Sequence, residues 1–135
     1  MEGAAAGDEA VHREAACCVV GGGPAGAVLA FVLARAGVDV TLLEAHAGFD
    51  RDFRGDTLHP AILEALDDLG LAAALLRLPH VKVERFVLQA GREEVAFADF
   101  TRLRTRFPYV MTMPQAQLLE FLAAEASRCP CFRLE

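Results

Sequence analysis

Residues 17–28 read Cys-Cys-Val-Val-Gly-Gly-Gly-Pro-Ala-Gly-Ala-Val. The apolar residues Ala16–Val20 form a short run of the kind that a parallel strand covered on both faces shows. Three glycines and a proline then break any regular element. From Pro24 to Ala36 alanine, leucine and valine dominate, and Gly37 is a natural helix stop. Val38–Leu43 is β-branched and mostly apolar, which predicts a second strand. Strand, glycine turn, helix, short turn and strand make one βαβ unit.

The glycines at 21, 23 and 26 satisfy G-x-G-x-x-G, and each has a separate task. The first permits the tight turn, the second lets backbone approach a pyrophosphate, and the third lets the helix pack close to the strand. The pyrophosphate rests on the free N–H groups and positive end of the helix that opens with Pro24 and Ala25. A glycine turn alone is weak evidence. Here it follows a strand, opens a helix, and is succeeded by a second strand ending in Glu44, 18 residues beyond Gly26. That is close to the spacing at which an acid accepts a ribose hydroxyl. An acid there favours a free 2′-hydroxyl over a 2′-phosphate, which leaves FAD or NAD as the ligand.

Composition bounds the rest. A chain of 135 residues is one domain, with room for a real core. A hydrophobic content of 54% excludes a disordered tail, and a net charge of −6 argues against a nucleic-acid surface. Ala15–Ala34 holds twenty uncharged residues, the length of a membrane span. The glycine turn divides it, however, and the acidic residues before it are unlike a secretory n-region. The reading is a soluble, cytoplasmic protein with no membrane, nucleic-acid or obligate protein partner. Cys17, Cys18, Cys129 and Cys131 lack zinc-site spacing, and Cys17 and Cys18 are expected to fill the buried strand. The four histidines show no ligand spacing either, so no metal site is expected.

Residues 1–14 read as a flexible leader. Beyond Glu44 the regular alternation stops. Residues 45–58 read as a loop, and Pro60 begins a helix to Leu69 with Ile62, Leu66 and Leu69 on one face. Leu71–Leu76 adds a turn or two. Val81–Gln89 and Glu94–Phe100 read as a hairpin joined across Ala90-Gly91. Arg102, Arg104 and Arg106 alternate, so on a strand they would share a solvated face. Tyr109–Thr112 suits a short strand, Pro114–Ser127 a helix with Leu118, Leu119, Leu122 and Ala126 inward, and Phe132–Glu135 the opening of another strand. An ending at a strand onset suggests truncation.

Three segments together resemble the FAD-dependent aromatic hydroxylases, the single-component flavoprotein monooxygenases. They are residues 18–26 followed by Val40–Glu44, then Phe-Arg-Gly-Asp-Thr-Leu-His-Pro at 53–60, and Met-Pro-Gln-Ala-Gln-Leu-Leu-Glu-Phe-Leu at 113–122. The resemblance implies that Gly21, Gly23, Pro24, Ala25 and Gly26 hold the FAD pyrophosphate and Glu44 the adenosine ribose. It implies that Arg54 lies beside the cofactor and that Gln115 hydrogen-bonds its ribityl or phosphate part. The implied fold is α/β, a Rossmann-like FAD-binding βαβ unit with parallel strands, followed by helices and a β-hairpin. Residues 15–135 would be an incomplete N-terminal part of the FAD-binding domain, because family members are much longer and carry a later Gly-Asp segment. The implied function is FAD binding in a monooxygenase that uses NADH or NADPH to hydroxylate a small aromatic substrate, with catalytic residues unknown. The alternatives are an NAD-dependent oxidoreductase, which would continue the βαβ alternation, and a nucleotide-binding remnant without turnover.

Overall fold

The computed structural model describes residues 13–49 and 56–135. Strand β1 (Cys17–Val20), helix α1 (Pro24–Arg35) and strand β2 (Val40–Leu43) come first. Then follow β3 (Thr57–Leu58), α2 (Pro60–Asp68), α3 (Ala72–Leu75), β4 (Val81–Val83), β5 (Arg85–Ala90) and β6 (Glu93–Asp99). A 3-10 turn (Phe100–Arg102), β7 (Val110–Thr112), α4 (Gln115–Ala126) and β8 (Phe132–Leu134) complete the order. Most of the leader, residues 1–12, lies outside the described residues.

The βαβ unit forms as its residues dictate. Pro24 starts α1 with a φ already suited to a helix. At the other end Gly37 takes φ 82°, which a residue with a Cβ rarely adopts. Its N–H donates to the Ala34 carbonyl (2.9 Å) and that of Val38 to the Leu33 carbonyl (3.0 Å). These two bonds are the Schellman pattern, which satisfies carbonyls the helix leaves over. β1 and β2 run parallel, with Cys17 opposite Val40 and Val20 opposite Leu43. β8 adds in parallel on the other side of β2, giving the order β1-β2-β8. β2 is therefore the central strand, and its Val40, Thr41 and Leu42 are all buried.

α1 turns Ala27, Ala30, Phe31 and Ala34 inward, toward α4. From α4 come Leu118, Leu119, Leu122, Ala123 and Ala126, the apolar side expected from the sequence. Alanines on one helix let the leucines of the other approach closely, since side-chain size sets the interhelical distance. No helix among the described residues is long and apolar enough to cross a membrane, and the Ala15–Ala34 run is divided between β1 and α1.

The structure corrects several readings. β1 is an edge strand in which only Val19 is fully buried. Cys18 is exposed and Cys17 half-buried, so the cysteine pair does not fill a doubly covered strand. Residues 57–58, expected within a loop, form β3, which pairs antiparallel with β7. The single strand expected over Val81–Gln89 divides at Glu84. β4 joins β7 and β3, whereas β5 pairs only with β6. The Glu84 carbonyl at the break accepts from the Phe100 N–H (2.9 Å), which ties the base of the hairpin. Its turn is Gly91-Arg92, with Gly91 at φ 67°.

On α2 the buried side is Pro60, Leu63 and Leu66, not Ile62, Leu66 and Leu69. Ile62 instead lines a cavity beside α1 and α4. The arginines at 102, 104 and 106 do not lie on a strand. Asp99 caps the 3-10 turn through the Thr101 N–H (3.1 Å), and Arg106 pairs with Asp67 of α2. Finally, the third parallel strand is reached only after an antiparallel sheet, a hairpin and α4. That detour is unlike the continued βαβ alternation which an NAD-dependent dehydrogenase predicts.

Candidate functional site

Three glycines of the turn face three different surroundings. Gly21 has φ 102°, and its N–H donates to the Leu43 carbonyl (2.8 Å), so the chain leaves β1 bonded to the end of β2. A Cβ on Gly26 would sit 2.0 Å from the Gly21 carbonyl oxygen, far inside contact distance. Helix and turn can approach each other only if residue 26 has no side chain. Gly23 differs from both. Its φ of −69° suits any residue, and a Cβ there would meet no protein atom within 4 Å. The fold gives no steric reason for glycine at 23, and the space in front of it is open.

Gly23 is the N-cap of α1 and makes no side-chain capping bond, and the first turn of the helix carries no acidic residue. Its carbonyl accepts the Ala27 N–H (2.8 Å). Pro24 has no N–H to leave unsatisfied, and Ala25 is exposed. A helix N-terminus without carboxylates, preceded by a residue with no side chain, has the chemistry that suits a phosphate group.

Glu44 stands immediately beyond β2, beside this turn. Its side chain is only 6% exposed. Oε2 accepts the Gly22 N–H (2.8 Å), and Oε1 accepts the His46 N–H (3.1 Å) and lies 2.9 Å from His46 Nδ1. The Glu44 N–H donates to the Glu135 carbonyl (2.7 Å) next to β8. The carboxylate is thus oriented by the glycine turn on one side and the loop after β2 on the other. Gly21, Glu44 and His46 line one open cavity of about 450 Å³.

Gln115 is the first residue of α4, half-buried, and lines a cavity of about 180 Å³ together with Pro24, Thr57, Leu58 and Ile62. The fold therefore gathers the expected residues in two groups joined at the glycine turn, Gly21 with Glu44 and Pro24 with Gln115. Arg54 lies outside the described residues.

Two further residues emerge to which the motifs gave no role, although Asp56 lies within the 53–60 segment. His46 holds Glu44 from the loop after β2. Asp56 accepts the Gln115 N–H on Oδ1 (3.2 Å) and the Met113 N–H on its main-chain carbonyl (2.9 Å). A polar residue directly before a two-residue strand is ordinary in a sequence, so only the pairing of β3 with β7 reveals its role. No group of three or more His, Cys, Asp or Glu side chains capable of holding a metal occurs among the described residues.

The sequence matches a family model described as FAD binding domain over residues 14–135. It is 35% identical over 115 residues to 6-methylpretetramide 4-monooxygenase of Streptomyces rimosus, covering 85% of this chain and 28% of that one. It is 35% identical over 100 residues to para-nitrophenol 4-monooxygenase of Pseudomonas sp. strain WBC-3, covering 72% and 25%. The crystal structure of p-nitrophenol 4-monooxygenase PnpA from Pseudomonas putida DLL-E4 superposes with a TM-score of 0.79 at 29% identity, over 88% of this chain and 31% of that one. The chain thus spans less than a third of the length of these relatives. Within that span the match is nearly end to end, and the chain belongs to the FAD binding domain family of flavin-dependent monooxygenases.

Proposed function

We propose that FAD lies across the glycine turn, with its pyrophosphate on Gly21–Gly26 at the N-terminus of α1, Pro24 and Ala25 included. Its adenosine ribose meets Glu44, and its ribityl side faces Gln115 and, from the preceding segment, Arg54. The observation that carries this reading is Gly23, where nothing in the protein requires glycine and a ligand's close approach does. Glu44 suits a ribose diol because an ionised carboxylate accepts hydrogen bonds in several directions. Arginine suits phosphate because its planar guanidinium can donate two parallel bonds.

Residues 15–135 form the cofactor-holding N-terminal part of the domain in this reading. In a protein of the relatives' length, bound flavin supplies the redox chemistry by which NADH or NADPH and oxygen hydroxylate a small aromatic molecule. The chain's own residues hold and orient the cofactor. The protein works in the cytoplasm, without nucleic acid, membrane or an obligate protein partner. The antiparallel detour after β2 and the FAD-domain match both favour FAD over the NAD-dependent alternative.

The test is an absorption spectrum of the purified chain, incubated with FAD and then desalted. Retained flavin, lost in Gly23→Ala while the melting temperature stays within a few degrees, supports the reading. Flavin retained equally by both proteins would refute the role given to the turn. A colourless wild type that also fails to bind FAD by fluorescence titration would refute FAD binding by these residues.

A further inference from the structure

We propose that Asp56 is a positioning residue for the cofactor, acting by capping α4 from 59 positions earlier in the chain; this rests on the FAD reading above. α4 has no cap of its own. Its N-cap residue is Pro114, which has no side-chain donor or acceptor, and the first turn contains no acid. The N–H groups that open a helix need partners from elsewhere. Asp56 provides one through Oδ1 to the Gln115 N–H (3.2 Å). Its main chain supplies a second tie, as its carbonyl accepts the Met113 N–H (2.9 Å) where β3 and β7 begin their pairing.

These two bonds act on the same short stretch. They determine where α4 starts, and hence where Gln115 stands in the cavity it shares with Pro24. Glu44 and the glycine turn are held independently, by the Gly22 and Leu43 bonds. Asp56 therefore acts on one half of the ligand and not the other. Without it the first turn of α4 frays, and binding has to re-order Gln115.

This separates positioning from a general structural role. The full 135-residue chain and its Asp56→Ala and Asp56→Asn variants would be titrated with FAD and, separately, with ADP, which carries only the adenosine and pyrophosphate part. Backbone amide exchange at Gln115 would be followed in parallel. Asp56→Ala is expected to weaken FAD about fivefold, the usual effect of losing a helix cap, and to leave ADP within twofold. Asp56→Asn keeps an acceptor oxygen of the same shape and should restore both FAD affinity and protection of the Gln115 amide.

Equal losses for FAD and ADP, or no loss for either, would overturn the proposal and leave the FAD reading intact. A wild type that binds FAD no better than ADP would also overturn it, because Gln115 would then add nothing. A wild type that binds neither nucleotide ends both the proposal and the FAD reading.

Discussion

Gly22, Gly23 and Gly26 are the same letter in the sequence and unlike one another in space. A Cβ at 26 meets a main-chain oxygen that cannot move without breaking the turn, whereas a Cβ at 22 meets only side-chain atoms, Glu44 Oε2 at 2.8 Å, the Phe49 ring at 3.1 Å and Glu44 Cβ at 3.3 Å. Gly26→Ala should therefore destabilise the fold by about 1–3 kcal/mol, the range for forced overpacking, and lose FAD as well. Gly22→Ala should remain folded, with Glu44 displaced by a few tenths of an ångström. Urea melts of the two variants check this, and a Gly26→Ala protein as stable as wild type would contradict the contact. Glu44→Gln retains an acceptor for the Gly22 N–H but loses the charge. FAD binding should weaken about tenfold, near the lower end for hydrogen bonds to charged groups, as read by flavin fluorescence.

Among the elements, α4 carries both core and site. Leu119 is buried in the core, so Leu119→Ala should cost about 2–5 kcal/mol in a urea melt. The turn after β6 is a smaller matter, set by electrostatics. The Thr101 hydroxyl donates to Asp99 Oδ1 at 2.6 Å. This bond foremost holds the Asp99 carboxyl below its ordinary value of 3.8 against the opposing effect of desolvation, with smaller help from the Thr101 N–H, Arg85 and Arg102. A depressed carboxyl stabilises the folded turn above the ordinary value and loses that contribution as pH falls through the folded one. The effect is thus complete at neutral pH and fades only in strong acid. An NMR titration of Asp99 should show a midpoint below 3.8 that moves upward in Thr101→Ala.

Over the whole molecule, stability is uneven. The continuous core runs from the β1-β2-β8 sheet, α1 and α4 through α2, α3, β3 and β7, whereas β5 and β6 form a two-stranded hairpin without a third strand. On it Leu88, Val95 and Phe97 are 59%, 51% and 60% exposed. Phe86 stacks on Phe97 (5.8 Å between centroids) and meets Phe100 edge-on (5.6 Å), an aromatic clasp at the hairpin's base. An isolated pair of strands is marginal in water, and local opening follows the sparsest packing. Trypsin should cut after Arg92, at the hairpin turn, before it cuts after Arg35 at the end of α1 or Arg133 in β8. Amide exchange should be faster in 85–99 than in Val40–Leu42.

The βαβ unit, the break at the glycines, the inward side of α4 and the place of Glu44 beside the glycine turn were legible in the residues. Each depends on local rules, namely glycine and proline conformation, periodicity, and a spacing short enough for one unit to enforce. The division of Val81–Gln89 between two sheets was not legible, because a strand-like stretch rich in valine suits either partner and only long-range pairing with β7 or β6 chooses. The same holds for the exposed Cys18 and for Ile62 lining a cavity, since burial depends on neighbours distant in sequence. Asp56 is the clearest case. The sequence by itself determined a glycine turn between strand and helix and the acid beside it. Only the tertiary structure brought an aspartate to the start of a helix 59 positions away, because a helix N-terminus leaves N–H groups that any correctly placed carboxylate can satisfy.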